Sequence, residues 1–156
     1  MTVADLIPIA SEDRALDLGC GDGSLTRRLA RLATKGLAVG VDASEEMVRL
    51  ARRLSIELDN VMFVLGSPEE IPWREDFFSA LVSLQAAAWP QPERSAREMF
   101  RVLAPGGRVF LQGPAEWQTL LEAAGFQAVS ARPAEGQGPL FLIEARKPPL
   151  PPRVVE

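Results

Sequence analysis

The chain contains no histidine and one cysteine, Cys20. Without histidine, the commonest general base and the commonest metal ligand are both missing. Ser/His/Asp and Cys/His catalysis are therefore excluded. A lone cysteine excludes an internal disulfide and any multi-cysteine metal site, so no metal is expected. Lysine is almost absent (Lys35 and Lys147), and arginine carries the positive charge, which reads as a compositional habit. No apolar run approaches the ~20 residues that span a bilayer, so no membrane segment is expected. The N-terminus has no basic region like that of a signal peptide, and the expected location is cytoplasmic. The net charge is -4 and no long basic tract occurs, which argues against a nucleic-acid partner. Two arginine clusters, Arg27/Arg28/Arg31 and Arg49/Arg52/Arg53, are expected on solvated helix faces.

What is present suits one globular domain. The 156 residues include 47% hydrophobic and 24% charged residues. A chain of that length buries roughly 70% of its unfolded surface. Short apolar runs alternate with amphipathic stretches and show no internal repeat. Strands are predicted at 15–19, 37–41, 61–65, 78–84 and 108–112. A helix is predicted at 24–34, with Leu25, Leu29 and Leu32 inward. Ser44 is the N-cap of a second helix, with Met47, Leu50, Ala51 and Leu54 inward. A third helix runs from about Pro92 to Leu103, where Pro105-Gly106-Gly107 stops it. Near-continuous apolar strands alternating with helices imply a doubly wound α/β sheet, mostly parallel, with helices on both faces. The last third differs. A helix at 115–124 ends at Gly125, and strands at 126–131 and 140–145 follow with only a glycine-rich turn between them. Such strands pair antiparallel. Seven strands are expected in all, the last antiparallel. The domain is expected to cover residues 1–147, and residues 148–156 form a proline-rich irregular tail.

The most informative stretch is residues 16–23, LDLGCGDG. A strand enters three alternating glycines and then a helix. Glycine serves where a chain turns sharply or must touch a ligand without a Cβ in the way. In a doubly wound sheet this turn lies at the carboxyl ends of the strands, where ligands bind. A tight turn without a ligand is the plain alternative. A dinucleotide fingerprint is another, but it needs glycine where this chain has Ser24. Asp17 puts a carboxylate beside the loop, which suits a cationic ammonium better than a pyrophosphate. Asp42 ends the second strand, where an acidic residue can accept both hydroxyls of a ribose. Otherwise Asp42 only caps the helix that follows.

LDLGCGDG followed by VDAS resembles the first two motifs of class I S-adenosylmethionine (SAM)-dependent methyltransferases, in particular the small type 11 kind. The chain continues in the family's order. Residues 66–73 (GSPEEIPW) resemble its Gly-Asp-Ala … Leu-Pro-Phe segment. Residues 78–82 (FSALV) resemble its Phe-Asp-x-Val-Val strand, and 97–107 (REMFRVLAPGG) its Arg-x-Leu-x-Pro-Gly-Gly segment. The resemblance covers roughly residues 12 to 147. It implies a Rossmann-like methyltransferase with SAM as cofactor, S-adenosylhomocysteine as product and an unidentified methyl acceptor. Carried over by position, Asp17, Gly19, Cys20 and Gly21 lie at the methionine part of SAM. Asp42 binds the ribose. Ala43 and Met47 pack on the adenine, and Gly66, Ser67 and Pro68 form the adenine side. Leu84 and Gln85 lie beside the reactive methyl.

The chain also departs from the pattern. Ser67 and Ser79 stand where the family usually has aspartates, and Ala87-Ala88 where it often has two histidines. Gln85-Ala86-Ala87-Ala88 is not the signature of methyltransferases acting on planar amino groups. Only about a dozen residues precede the first strand, so no extended N-terminal lid is expected. An open site suits a bulky acceptor, a homodimer or a partner that completes the lid. Two other readings compete: a non-catalytic SAM-binding or interaction domain, and a nucleotide-binding oxidoreductase, whose last strand would run parallel. Trp89, with Trp73, forms an aromatic wall or packs under a loop. Asp76, Glu116 and Glu12 are weak candidates for a base at the pocket mouth. Cys20 reads as a small packing residue.

Overall fold

A computed structural model describes residues 3–154. Its elements in chain order are β1 (Arg14–Leu18), α1 (Ser24–Leu32), β2 (Leu37–Asp42), α2 (Glu45–Leu54), β3 (Val61–Leu65) and β4 (Phe78–Ser83). Then follow α3 (Pro92–Val102), β5 (Leu103–Gly113), α4 (Trp117–Ala124), β6 (Gln127–Pro133) and β7 (Phe141–Arg146). The seven strands form one sheet in the order β3-β2-β1-β4-β5-β7-β6. The pairs from β3 to β5 are parallel, and β7 is antiparallel to both of its neighbours. That antiparallel strand overturns the oxidoreductase reading. The strand order reverses between β1 and β4, so a crevice opens at their carboxyl ends.

The two faces of the sheet bury separate cores. Leu16, Leu18, Val39, Val41, Leu81, Val109 and Leu111 form the larger core with Met99 and Val102 of α3 and Trp117 and Leu121 of α4. On the opposite face, Ala15, Ala38 and Ala80 meet α1. Small residues there let the helices approach closely. A Cβ on Gly40 would come within 2.7 Å of Phe63 and 2.9 Å of Cys20.

This close approach corrects two expected helix faces. In α1 the buried residues are Thr26, Leu29 and Ala30, while Leu32 is 45% exposed. In α2 they are Val48 and Ala51, while Leu54 is 53% exposed. Leu29 and Ala30 of α1 pack on the alanine-rich sheet face, and Val48 and Ala51 of α2 pack on Cys20 and Phe63. The arginine clusters lie on solvated faces as expected: Arg31, Arg49, Arg52 and Arg53 are exposed, and Arg27 and Arg28 are half-buried. Arg27 donates to the Asp22 carbonyl at 2.8 Å, and Arg52 to the Phe63 carbonyl at 2.9 Å.

Boundaries move where the chain bulges. β5 starts at Leu103, not Arg108, because Pro105-Gly106-Gly107 forms a bulge inside the strand. Gly106 there has φ +82°. Gly125 ends α4 at φ +109°, and the Phe126 N–H reaches back to the Leu121 carbonyl at 3.0 Å. Before β1 the only regular element among the described residues is a single 3-10 turn, Val3–Leu6. Residues 148–154 have no regular structure.

Candidate cofactor cleft

The loop after β1 is held by backbone bonds to the end of β2. Gly19 and Cys20 N–H groups both donate to the Val41 carbonyl, at 2.8 and 3.0 Å. The Gly21 N–H donates to Asp42 Oδ2 at 2.8 Å, and the Ser44 N–H to Asp42 Oδ1 at 2.9 Å. Asp42 thus ties the loop to the start of α2, and its half-exposed carboxylate has one backbone donor on each oxygen. Each oxygen keeps a second lone pair for a ligand.

Two glycines shape the surface above this carboxylate. Gly19 has φ +83°, and a Cβ there would lie 3.0 Å from the Cβ of Gln85. Gly21 has φ +53° and opens onto empty space, with nothing within 4 Å of where a Cβ would stand. Gln85 faces the loop because Ser83 fixes the turn: its hydroxyl donates to the Leu18 carbonyl at 2.6 Å and accepts from the Gln85 N–H at 3.1 Å.

The third wall is the segment after β3. Gly66 N–H donates to the Asp42 carbonyl at 3.0 Å, and Ser67 and Glu70 form an isolated antiparallel bridge. A clamp on α3 holds this segment. Glu98 accepts from the Ile71 N–H at 2.9 Å, and Arg101 donates to the carbonyls of Ile71 and Trp73, each at 2.9 Å. Burial opposes ionisation of Glu98, but hydrogen bonds from Arg101 and Ile71 outweigh it and hold the carboxyl below its usual range. The sequence reading missed this clamp; an acid–base pair three residues apart on one helix was its only signal.

These walls enclose a cleft of about 500 Å³ at the carboxyl ends of β1, β2 and β4. Of the expected site residues, Gly19, Gly21, Asp42, Ala43, Gly66, Ser67, Pro68 and Gln85 line it. A second depression of about 720 Å³ opens behind Ser67, toward Glu98 and Arg101. Asp17, Cys20, Met47 and Leu84 do not line the cleft. Asp17 is buried under the loop, and its Oδ2 accepts from the Thr26 hydroxyl at 2.7 Å. Burial lifts its carboxyl to about 7 against the opposing Thr26 bond, and the charge of Asp42 adds to the rise. Cys20 packs with Val48, Ala51 and Phe63. Burial first, then the charges of Asp17 and Asp42, push its thiol up to about 12. Met47 lies half-buried on α2, and Leu84 half-buried just after β4.

Other expectations are corrected or sharpened. Trp89 lines the cleft and packs edge-on against buried Trp117, with ring centres 5.7 Å apart. Trp73 is elsewhere, packed against Phe77 and Phe78. None of Asp76, Glu116 and Glu12 lines the cleft. Asp76 pairs with Lys147 at 2.8 Å, and Glu12 lies beside a cavity at the amino ends of β1 and β2. Leu18, Val41, Glu69, Ala88 and Pro90, not expected as site residues, complete the wall.

The sequence profile of the methyltransferase domain family matches residues 15–107, from the start of β1 through the bulge of β5. The chain belongs to this methyltransferase family. An uncharacterised methyltransferase of Mycobacterium tuberculosis is 39% identical over 122 residues, 78% of this chain and 46% of that protein. The ubiquinone/menaquinone biosynthesis C-methyltransferase of Vibrio vulnificus is 35% identical over 103 residues, 63% of this chain and 40% of that enzyme. The chain therefore spans less than half the length of these relatives. Among solved structures, a SAM-dependent methyltransferase from Aquifex aeolicus shares the fold, with a TM-score of 0.78 at 20% identity. That match covers 91% of this chain and 85% of the other.

Proposed function

We propose that this methyltransferase domain binds SAM in the cleft and transfers its methyl group to an acceptor. The observation that carries the reading is Asp42. Its carboxylate lies in the cleft wall with one backbone N–H on each oxygen and a free lone pair on each. Two parallel acceptors match the vicinal diol of a ribose. Gly21 fits the same ligand, because it leaves open space where any side chain would intrude.

SAM supplies an activated methyl on a sulfonium, so the hard chemistry belongs to the cofactor. The chain contributes binding, alignment and exclusion of water. Gly19 and Gln85 border the methionine end, Asp42 takes the ribose, and Ala43, Gly66, Ser67 and Pro68 flank the adenine. Asp17 acts from beneath, by holding Thr26 and the start of α1. The cleft needs no histidine for this work. The acceptor reaches an open mouth, and a second copy of the chain or a lid-completing partner suits that opening. A cytoplasmic location fits the absence, among described residues, of any helix long and apolar enough to cross a membrane.

Calorimetric titration with SAM, S-adenosylhomocysteine and NADH tests the reading. Micromolar binding of the two adenosyl ligands and none of NADH is expected. Binding of neither adenosyl ligand would overturn the assignment.

A further inference from the structure

The proline-rich tail has no role in that scheme. Residues 148–153 read Pro-Pro-Leu-Pro-Pro-Arg, so four of the six positions are proline. Proline locks φ at about −65° and has no N–H for a helix or a sheet, which favours the polyproline II conformation. Among the described residues, no hydrogen bond or ion pair ties 148–154 to the rest of the chain, Arg153 included. Pro148 is half-buried where the tail leaves the domain, and 149–154 are exposed, Leu150 by 75%. The tail departs from the end of β7. There the Lys147 N–H donates to the Gly107 carbonyl at 2.8 Å, and the Lys147 carbonyl accepts from the Gly106 N–H at 3.0 Å. β7 runs antiparallel to β5 with Arg146 opposite Arg108, so the tail starts at the amino ends of the parallel strands. The cleft lies at the other end of the sheet.

A polyproline II helix has about three residues per turn and rises about 3.1 Å per residue. That period sorts the tail into three ridges. Pro148 and Pro151 share one, Leu150 and Arg153 the second, and Pro149 and Pro152 the third. The side formed by the first two ridges presents two prolines, an apolar side chain and a guanidinium. A rigid spacer needs the prolines alone. A leucine and a cation at the same spacing add what a partner can read. Grooves that take such helices are lined with aromatic rings, which accept the flat, rigid prolines at little cost in entropy. A guanidinium pairs with a carboxylate beside the rings. We propose that residues 148–153 are a polyproline II docking peptide for a partner domain with an aromatic-lined groove ending in an acid, of the SH3 type. The tail does this whatever the cleft binds.

The test titrates the full chain, by calorimetry, with an SH3 domain that carries acids at the end of its groove. Binding is expected, and truncation after Lys147 should abolish it. Arg153→Glu should weaken it about tenfold. An SH3 domain with those acids changed to lysine should prefer Arg153→Glu to the wild-type chain. Changing Pro148 and Pro151 together to alanine should cost far more affinity than changing Pro149 and Pro152, whose ridge faces solvent. All these residues lie outside the folded core, so far-UV circular dichroism should be the same for every variant. Affinity for S-adenosylhomocysteine should also be unaltered by the bound SH3 domain. No binding by the wild-type chain would overturn the proposal. So would equal losses from the two proline pairs, binding that survives truncation, or an Arg153→Glu chain that binds both SH3 domains as wild type does.

Discussion

The Thr26 hydroxyl donates to the carboxyl of Asp17 across 2.7 Å of buried space, joining α1 to β1 beneath the glycine loop. The Asp17 carboxyl is lifted from 3.8 to about 7, chiefly by burial. The folded chain therefore holds this proton more tightly than the unfolded chain does. Its contribution to stability is complete below the unfolded value and is lost as pH rises through about 7. Asp17→Asn keeps an acceptor for Thr26 and removes the titration. Relative to wild type, it should be more stable near pH 8 than near pH 4 by on the order of 2 kcal/mol. Urea unfolding at the two pH values measures this, and an identical difference at both would rule out a titrating Asp17.

Asp42→Ala removes the acceptors proposed for the ribose. It should weaken SAM binding by about 1.5–3 kcal/mol, the worth of a charge-assisted hydrogen bond. The Gly21 and Ser44 N–H groups lose their partner too, so some loosening of the loop is expected. Far-UV circular dichroism should stay native, because Asp42 lies outside the buried core. Unchanged affinity would remove Asp42 from the site.

Ser79 stands where the resemblance to the methyltransferase pattern implies an aspartate, and the structure shows what surrounds it. Its hydroxyl donates to Asp13 Oδ1 at 2.7 Å, and Arg108 donates to Asp13 Oδ2 at 2.8 Å. Burial pushes the Asp13 carboxyl up, but hydrogen bonds from Ala10, Ser79 and Arg108 hold it below its usual range. Ser79→Asp would set a second carboxylate against Asp13 with Arg108 already engaged. A loss of about 1–3 kcal/mol is expected at neutral pH, shrinking in acid as one carboxyl takes up a proton. Thermal melts at several pH values decide it; a neutral effect would show that the local charge is not limiting.

Lys147 closes the domain. Its buried ammonium donates at 2.8 Å to Asp76 Oδ1 and to the carbonyls of Phe100 and Leu103, and it lies 4.6 Å from the ring centre of Phe100. Lys147→Met strands those carbonyls and should cost about 2–4 kcal/mol. Truncation after Lys147 removes a segment that has no regular structure over 148–154 and is exposed over 149–154, and it should cost little. Chemical denaturation of the two variants side by side places the edge of the folded unit.

The local pattern of the sequence determined the strands, the helices, the antiparallel hairpin and the glycine loop. Alternating glycines, capping Ser44 and apolar runs act over a few residues, so they are legible without a fold. Asp42 was legible for the same reason, as an acid ending the strand after a glycine-rich turn. Which residues of α1 are buried beside Leu29 was decided by tertiary structure, where Leu29 and Ala30 pack against Ala15, Ala38 and Ala80 of the sheet. The same holds for the Glu98–Arg101 clamp, which needs α3 to lie against the segment after β3. Asp17 follows this rule most clearly. Its place in the motif pointed to the ligand, but strand alternation turns its side chain toward α1 and leaves Leu18, the next residue, in the wall of the cleft.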